Sequence, residues 1–317
     1  MVAARPIQLI ATDVDGTLFN SRHEVPPSAA QAVRRATAAG VPIVICTGKM
    51  PGPWSERMLP ALGLRNYAVY NNGGLIVDGA GKTMYEAALD ADVVLEVLEA
   101  IEALGGRTTA VAYSVQGRDH KYQLFSNESA DENLAVRWIA GAGEHPPVPV
   151  GSLRRFVQES QGLAVNKLWI TTRYAPEEGL IEPGSNNWVE WEALSAAMTA
   201  SVAGRAEILL QDRHTLPGLR GNSTIELMPL GQNKAAALEK VLKNLELPPE
   251  AMMCLGDGLN DLEMLALAGT SVAMGNAVDK VKEVAEYTTG RTNDEGGWAE
   301  ALAHFGVLGD VESSCKL

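Results

Sequence analysis

The feature that most constrains this chain is a recurring unit: a strand-length apolar run that stops abruptly at a polar cluster. IQLIAT ends at Asp13-Val14-Asp15-Gly16-Thr17, and VPIVIC ends at Thr47-Gly48-Lys49. Between them lies an Ala-rich helical stretch, Ser28 to Ala39. A helical patch ending near Leu62-Gly63, the run AVYNNG and a short hairpin (LIVDGAGKTMYE) follow. Strand, helix, strand, helix, strand is the rhythm of a parallel sheet with helices on its faces. The tail repeats it: STIELMP as a strand, Asn233 to Leu245 as a helix, AMMCLGDG as a buried strand, Leu259 to Ala268 as a helix, TSVAMG as a strand and Asp279 to Glu286 as a helix.

The middle of the chain reads differently. It mixes an amphipathic helix (Ala91 to Leu104), strand-like pieces (TTAVAYSV, KYQLFS, NKLWITT, EILLQD), helices around Leu134 and Trp191, and the Pro-rich turn EHPPVPVG. The expectation is one α/β domain made of residues 1–85 and 215–317, split by an α+β insertion of residues 86–214. A chain of 317 residues is long enough for two such cores.

Composition narrows the function classes. With 46% apolar and 21% charged residues the chain is globular, and no apolar run reaches the length of a membrane span. The formal charge of −13 disfavours nucleic acid and anionic membrane as partners. Three cysteines (Cys46, Cys254, Cys315) without a C-x-x-C pair argue against a disulfide framework or a zinc site, and Cys46 and Cys254 sit in apolar runs. The five histidines show no metal-ligand spacing. The N-terminus lacks a signal-peptide core, which points to the cytoplasm; the ending Ser314-Cys315-Lys316-Leu317 is one residue from a peroxisomal address, the alternative location.

Four clusters carry the chemistry, each expected at the C-terminal end of a strand, where open parallel sheets bind ligands. In Asp13-Val14-Asp15-Gly16-Thr17, residues two apart on an extended chain point to one side, so two carboxylates converge and Gly16 permits a sharp turn. One carboxylate can attack phosphorus while the other moves protons. A calcium loop is excluded because Leu18 stands where that loop needs glycine. Thr47-Gly48 offers a hydroxyl and a backbone N–H to a phosphoryl oxygen. Lys234 opens a helix, a combination that favours bound phosphate. Gly256-Asp257-Gly258-Leu259-Asn260-Asp261 gathers oxygen ligands of the kind that select a hard cation.

In this order, DVDGTLF, CTGK, a lysine opening a helix and GDGLNDLEML resemble the haloacid dehalogenase superfamily, and VAMGNA with TNDEGGWAEAL resembles its Cof-type (class IIB) phosphatase branch. The resemblance implies a Rossmann-like parallel-sheet core with an inserted α+β cap that closes over the site. It implies a phosphohydrolase using Mg2+ and an aspartyl-phosphate, acting on a small phosphorylated metabolite such as a sugar phosphate or phosphorylated cofactor. Asp13 would be nucleophile and metal ligand, and Asp15 the general acid/base with its carbonyl on the metal. Thr47 would hold the transferring group and Lys234 would neutralise it. Asp257 and Asp261 would complete the metal site, Asp261 from the outer shell or through water. Gly48, Asn72, Gly73 and Asn260 would approach phosphate or substrate. Two departures are Lys49, where the branch usually has arginine, and Gln232-Asn233 with Ala235 around Lys234. Alternatives are a phosphosugar mutase and a non-catalytic ligand-binding homologue. Trp138, Trp169, Trp188 and Trp191 lie in the insertion, where packing is the more economical use of them than stacking on a substrate.

Overall fold

A computed structural model describes residues 6–104, 108–116, 121–129, 134–172, 186–202, 204–212 and 223–308. The chain divides into two compact units. The first comprises Met1–Gly48, Glu56–Met84 and Asn233–Leu317; the second comprises Lys49–Ser55 and Tyr85–Gln232.

The first unit opens with β1 (Leu9–Thr12), α1 (Pro27–Ala38), β2 (Ile43–Cys46), α2 (Pro53–Ala61), β3 (Ala68–Tyr70), β4 (Leu75–Val77) and β5 (Thr83–Glu86), the second unit claiming the start of α2 and the end of β5. Strands β1 and β2 are buried at every position, so they read as continuous apolar runs and not as alternating ones. Each fully buried Leu or Ile there contributes about 1.5–3 kcal/mol. Helix α1 begins with Pro27, which needs no N–H at that position, and turns Ala29, Ala32, Val33 and Ala36 inward at helical spacing.

The second unit holds α3 (Ala91–Ala103), β6 (Thr108–Gln116), β7 (Lys121–Ser126), α4 (Leu134–Gly141), β8 (Val148–Pro149), α5 (Leu153–Glu159), β9 (Lys167–Thr172), α6 (Asn186–Val202), β10 (Ala206–Asp212) and β11 (Ser223–Pro229). Its six strands run in the order β10-β11-β9-β6-β7-β8. One core, from Val93, Val97 and Ile101 of α3 through Leu168 and Ile170 of β9, includes Trp191. A second, on the residues of opposite parity, joins Val111, Tyr113, Leu124 and Trp169 with Val136, Ile139 and Met50. Trp169 and Trp191 are therefore packing residues; the side chains of Trp138 and Trp188 fall outside the described set. A buried ion pair joins Lys167 Nζ to Glu226 Oε2 at 3.4 Å, with the ammonium 4.2 Å from the Tyr113 ring centre.

The remaining elements, α7 (Lys234–Leu245), β12 (Met252–Gly256), α8 (Leu262–Leu267), β13 (Thr270–Ala273), α9 (Asp279–Val284), β14 (Tyr287–Thr288) and α10 (Gly297–His304), return to the first unit. Its sheet has the order β14-β13-β12-β1-β2-β3-β4-β5. Strands β1, β2, β3, β12, β13 and β14 are parallel and β4 turns back antiparallel to β3. The fold is α/β, a Rossmann-like sheet with an inserted α+β unit. The expected boundary at 214/215 is corrected to 232/233. Residues 223–229 were assigned to the α/β domain, but they pair antiparallel with β10 and β9 in the second sheet. Backbone pairing outweighs the run's proximity in sequence to α7. Among the described residues, no helix is long and apolar enough to cross a membrane. The terminal Cys315-Lys316-Leu317 lies outside the described set.

Candidate active site

Asp13 follows β1 directly, its backbone N–H donating to the Leu255 carbonyl of β12 at 3.0 Å. The two central strands thus deliver Asp13 and the Asp257 loop to one edge of the sheet. Val14–Leu18 then forms a tight turn in which Gly16 has φ +79°, a left-handed conformation that favours glycine. A Cβ at Gly16 would stand 2.2 Å from Asp257 Oδ2. Gly16→Ala is therefore expected to displace the Asp257 carboxylate, while the left-handed alanine costs about 1–2 kcal/mol of stability. A crystal structure of the variant beside a thermal melt checks both parts; an unmoved Asp257 carboxylate would contradict the first.

Lys234 is the centre of the site. It is completely buried, and its Nζ donates to Asp13 Oδ1 at 2.5 Å and to Asp261 Oδ1 at 2.6 Å. A buried ammonium persists only when paired. Burial alone would lower its pKa, but Asp13 and Asp261 outweigh burial and raise it, so Lys234 stays charged. The N-cap Asn233 accepts from the Ala236 N–H at 2.8 Å and fixes the start of α7. The departure at Asn233 thus has a local purpose. Contrary to the expectation for all four clusters, the strand before Lys234 belongs to the second sheet; the helix α7 start brings the lysine to the site.

Asp261 is also fully buried, and its Oδ2 accepts from the backbone N–H groups of Asp257 and Gly258, both at 2.9 Å. Asp257 is partly exposed, held by Thr17 Oγ1 at 3.1 Å on one oxygen and by Asn276 Nδ2 at 3.3 Å on the other. Burial first, then Asp13 and Asp261, push the Asp257 pKa well above the usual carboxylate range. Burial likewise pushes Asp13 up to about 7, against the pull of Lys234.

Carboxylate oxygens of Asp13, Asp257 and Asp261 lie within 4.8 Å of one another. Three carboxyl groups with oxygen-only donors around one lysine fit a hard divalent cation, which would favour their ionised forms. Of the three, Asp261 is the one with two backbone N–H groups on one oxygen and the Lys234 ammonium on the other, which suits it to orienting the site.

Thr47, buried after β2, accepts from the Asn72 N–H at 2.9 Å through its carbonyl. Asn72, with φ +50°, accepts at Oδ1 from Asn260 Nδ2 at 3.0 Å, and Gly48 packs against its amide. Gly73, with φ +100°, allows close approach to Asn233: a Cβ would meet the Asn233 carbonyl oxygen at 2.2 Å. Thr47, Gly48, Asn72, Gly73 and Asn260 therefore share a neighbourhood beside α7. Asp15 is the outlying member of the predicted set, its side chain one-third exposed and its Oδ1 2.9 Å from His23 Nδ1. Lys49 belongs to the second unit, where its Nζ donates to the Ala142 carbonyl at 3.0 Å. Cys46 and Cys254 are buried free thiols whose pKa values burial drives up, so they are packing residues. Sequence reasoning missed His23 and the bracing role of Asn276, whose Nδ2 also donates to the Gly16 carbonyl at 2.8 Å and whose Oδ1 accepts from the Asn293 N–H at 2.8 Å. The motif VAMGNA contained Asn276, but nothing in its spacing pointed to the first loop.

An acidic edge of a parallel sheet, held around one buried lysine, defines a class of enzymes as much as a fold. The profile of the haloacid dehalogenase-like hydrolases matches residues 10–136 and 218–302, and the chain belongs to that family. Within it, the chain is an enzyme of the Cof-type phosphatase branch. It is similar to phosphatase YwpJ of Bacillus subtilis (26% identical, over 94% of this chain and 100% of that protein). It is also similar to the 5-amino-6-(5-phospho-D-ribitylamino)uracil phosphatase YcsE of the same organism (28% identical, 94% and 96% covered). A crystal structure of a haloacid dehalogenase-like hydrolase from Bacteroides thetaiotaomicron superposes with a TM-score of 0.74 at 25% identity, covering 94% of this chain and 98% of that one.

Proposed function

We propose that the protein is a magnesium-dependent phosphomonoesterase that releases phosphate from a small phosphorylated metabolite through an aspartyl-phosphate on Asp13. The observation that carries this reading is the buried Lys234, bonded to both Asp13 and Asp261 beside Asp257. Asp13, the Asp15 carbonyl and Asp257 would hold Mg2+, with Asp261 orienting them. When bound, the cation cancels charge on the phosphoryl group and lets an anionic nucleophile approach an anionic substrate. Lys234 neutralises the remaining charge, and Thr47 with the Gly48 N–H holds a phosphoryl oxygen. The Asp13 carboxylate oxygen bonds to phosphorus as the ester P–O bond breaks, and Asp15 gives its proton to the departing alkoxide. Asp15 then takes a proton from water, which attacks the acyl phosphate and releases inorganic phosphate with Asp13 restored. Asn72, Gly73 and Asn260 line the approach of the substrate.

Relatives named for a ribitylaminouracil phosphate and for HMP-PP support a small metabolite over a macromolecule. The test is phosphate release from a panel of sugar phosphates and phosphorylated cofactors, with and without magnesium. Magnesium-dependent release supports the reading, whereas isomerisation without free phosphate would move the assignment to a mutase.

The raised Asp13 pKa adds a pH prediction. A carboxyl raised from 3.8 to about 7 binds more protons folded than unfolded, so in metal-free protein it lowers stability as pH rises across that window. A cation that prefers the ionised carboxylate removes this loss. The magnesium-induced rise in Tm is therefore expected to grow between about pH 5.5 and pH 8. Melts at fixed magnesium across that range check it, and a constant or shrinking increment would count against Asp13 as a ligand.

A further inference from the structure

One residue outside the predicted set stands out on two independent observations. His23 has φ +57°, one of four non-glycine residues with positive φ among those described, and it presents Nδ1 to Asp15 Oδ1 at 2.9 Å. The conformation is enforced locally. Asn20 Oδ1 accepts from the N–H groups of Arg22 and Glu24 at 3.0 and 2.9 Å, the Asn20 N–H donates to the Glu24 carbonyl at 2.8 Å, and the His23 N–H donates to the Asn20 carbonyl at 2.9 Å. The Ser21 N–H is tied to Asp294 Oδ1 at 2.7 Å. A left-handed backbone at a side chain with a Cβ carries strain, and strain held by surrounding bonds marks functional loops. Here the strained residue is the one that meets Asp15.

We propose that His23 is a positioning residue for Asp15: its imidazole holds the carboxyl in the orientation that serves the leaving oxygen. This rests on the reading of Asp15 as the general acid. Asp13 is buried and bonded to Lys234, whereas the Asp15 side chain is one-third exposed and meets His23 Nδ1 at 2.9 Å. Misplacement of a proton donor by about 1 Å can cost on the order of a hundredfold.

The test compares kcat/KM for an alkyl phosphate, whose leaving group needs a proton, with that for p-nitrophenyl phosphate, whose leaving group does not. Asp15→Asn is the reference and is expected to lose on the order of a hundredfold more on the alkyl ester than on the aryl ester. His23→Ala should show the same bias at roughly tenfold. His23→Gln bears a similar left-handed penalty yet keeps an N–H donor, so it should recover part of the alkyl activity. Thermal melts accompany each variant. Equal losses on both substrates would make His23 merely structural and overturn the proposal, as would an unaltered ratio in His23→Ala when Asp15→Asn shows the bias. Absence of the bias in Asp15→Asn itself would overturn the general-acid reading beneath it, a failure distinct from that of His23.

Discussion

Replacing Asp13 with asparagine is expected to reduce phosphate release by roughly 10⁴-fold or more while leaving the fold intact. The side chain keeps its size, and Lys234 keeps its 2.6 Å bond to Asp261, so the buried ammonium is not orphaned. In the proposed mechanism, what disappears is the nucleophile. The amide has no anionic oxygen to form the acyl phosphate, and it offers a cation a weaker neutral ligand. Removing a carboxylate whose ionisation burial opposes should also leave the metal-free Tm at neutral pH close to that of the parent. The decisive comparison is acid-quenched labelling with a radiolabelled phosphoester. The parent protein should trap label and Asp13→Asn should not. Hydrolysis retained in the variant would refute Asp13 as nucleophile.

Lys234→Met should have the larger effect on stability. The ammonium is fully buried and pairs with two carboxylates, one of them fully buried itself. Removing one partner of such a set leaves uncompensated charge and costs about 3–5 kcal/mol, a drop in Tm on the order of 10 °C. The sign with pH is specific. Without the lysine, nothing opposes the burial that favours the protonated Asp13 carboxyl, so the deficit should narrow as pH falls from about 8 towards 5 and widen above it. Turnover should fall by about 10³-fold or more at every pH, since the charge proposed to meet the phosphoryl group is gone. A variant as stable as the parent at neutral pH would contradict the central place given to Lys234.

Much of this was legible in the chain because it depends on local rules. Buried parallel strands must be continuous apolar runs, and a polar cluster at the end of one must lie at the sheet edge, so Asp13, Thr47 and Asp257 could be placed from sequence alone. The helix of residues 234–245 follows from its cap and periodicity as directly. The domain boundary was not legible in the same way. STIELMP has the composition of a strand for either sheet, and the choice is made by backbone partners in β9 and β10 that no local pattern identifies.

The same distinction separates the parts of the site. Sequence determined which residue types were available and that the first and last clusters share an edge, because strand-end geometry is short-range. Only the tertiary structure decided that Lys234 is shared between Asp13 and Asp261, that Asn276 braces both the Gly16 turn and Asp257, and that a solitary histidine meets Asp15. Those contacts join segments up to 260 residues apart in the chain, or depend on a left-handed residue held by its neighbours' bonds. Propensity and spacing describe neighbours in sequence, whereas burial of charge is satisfied by whichever group the folded chain brings within hydrogen-bond reach.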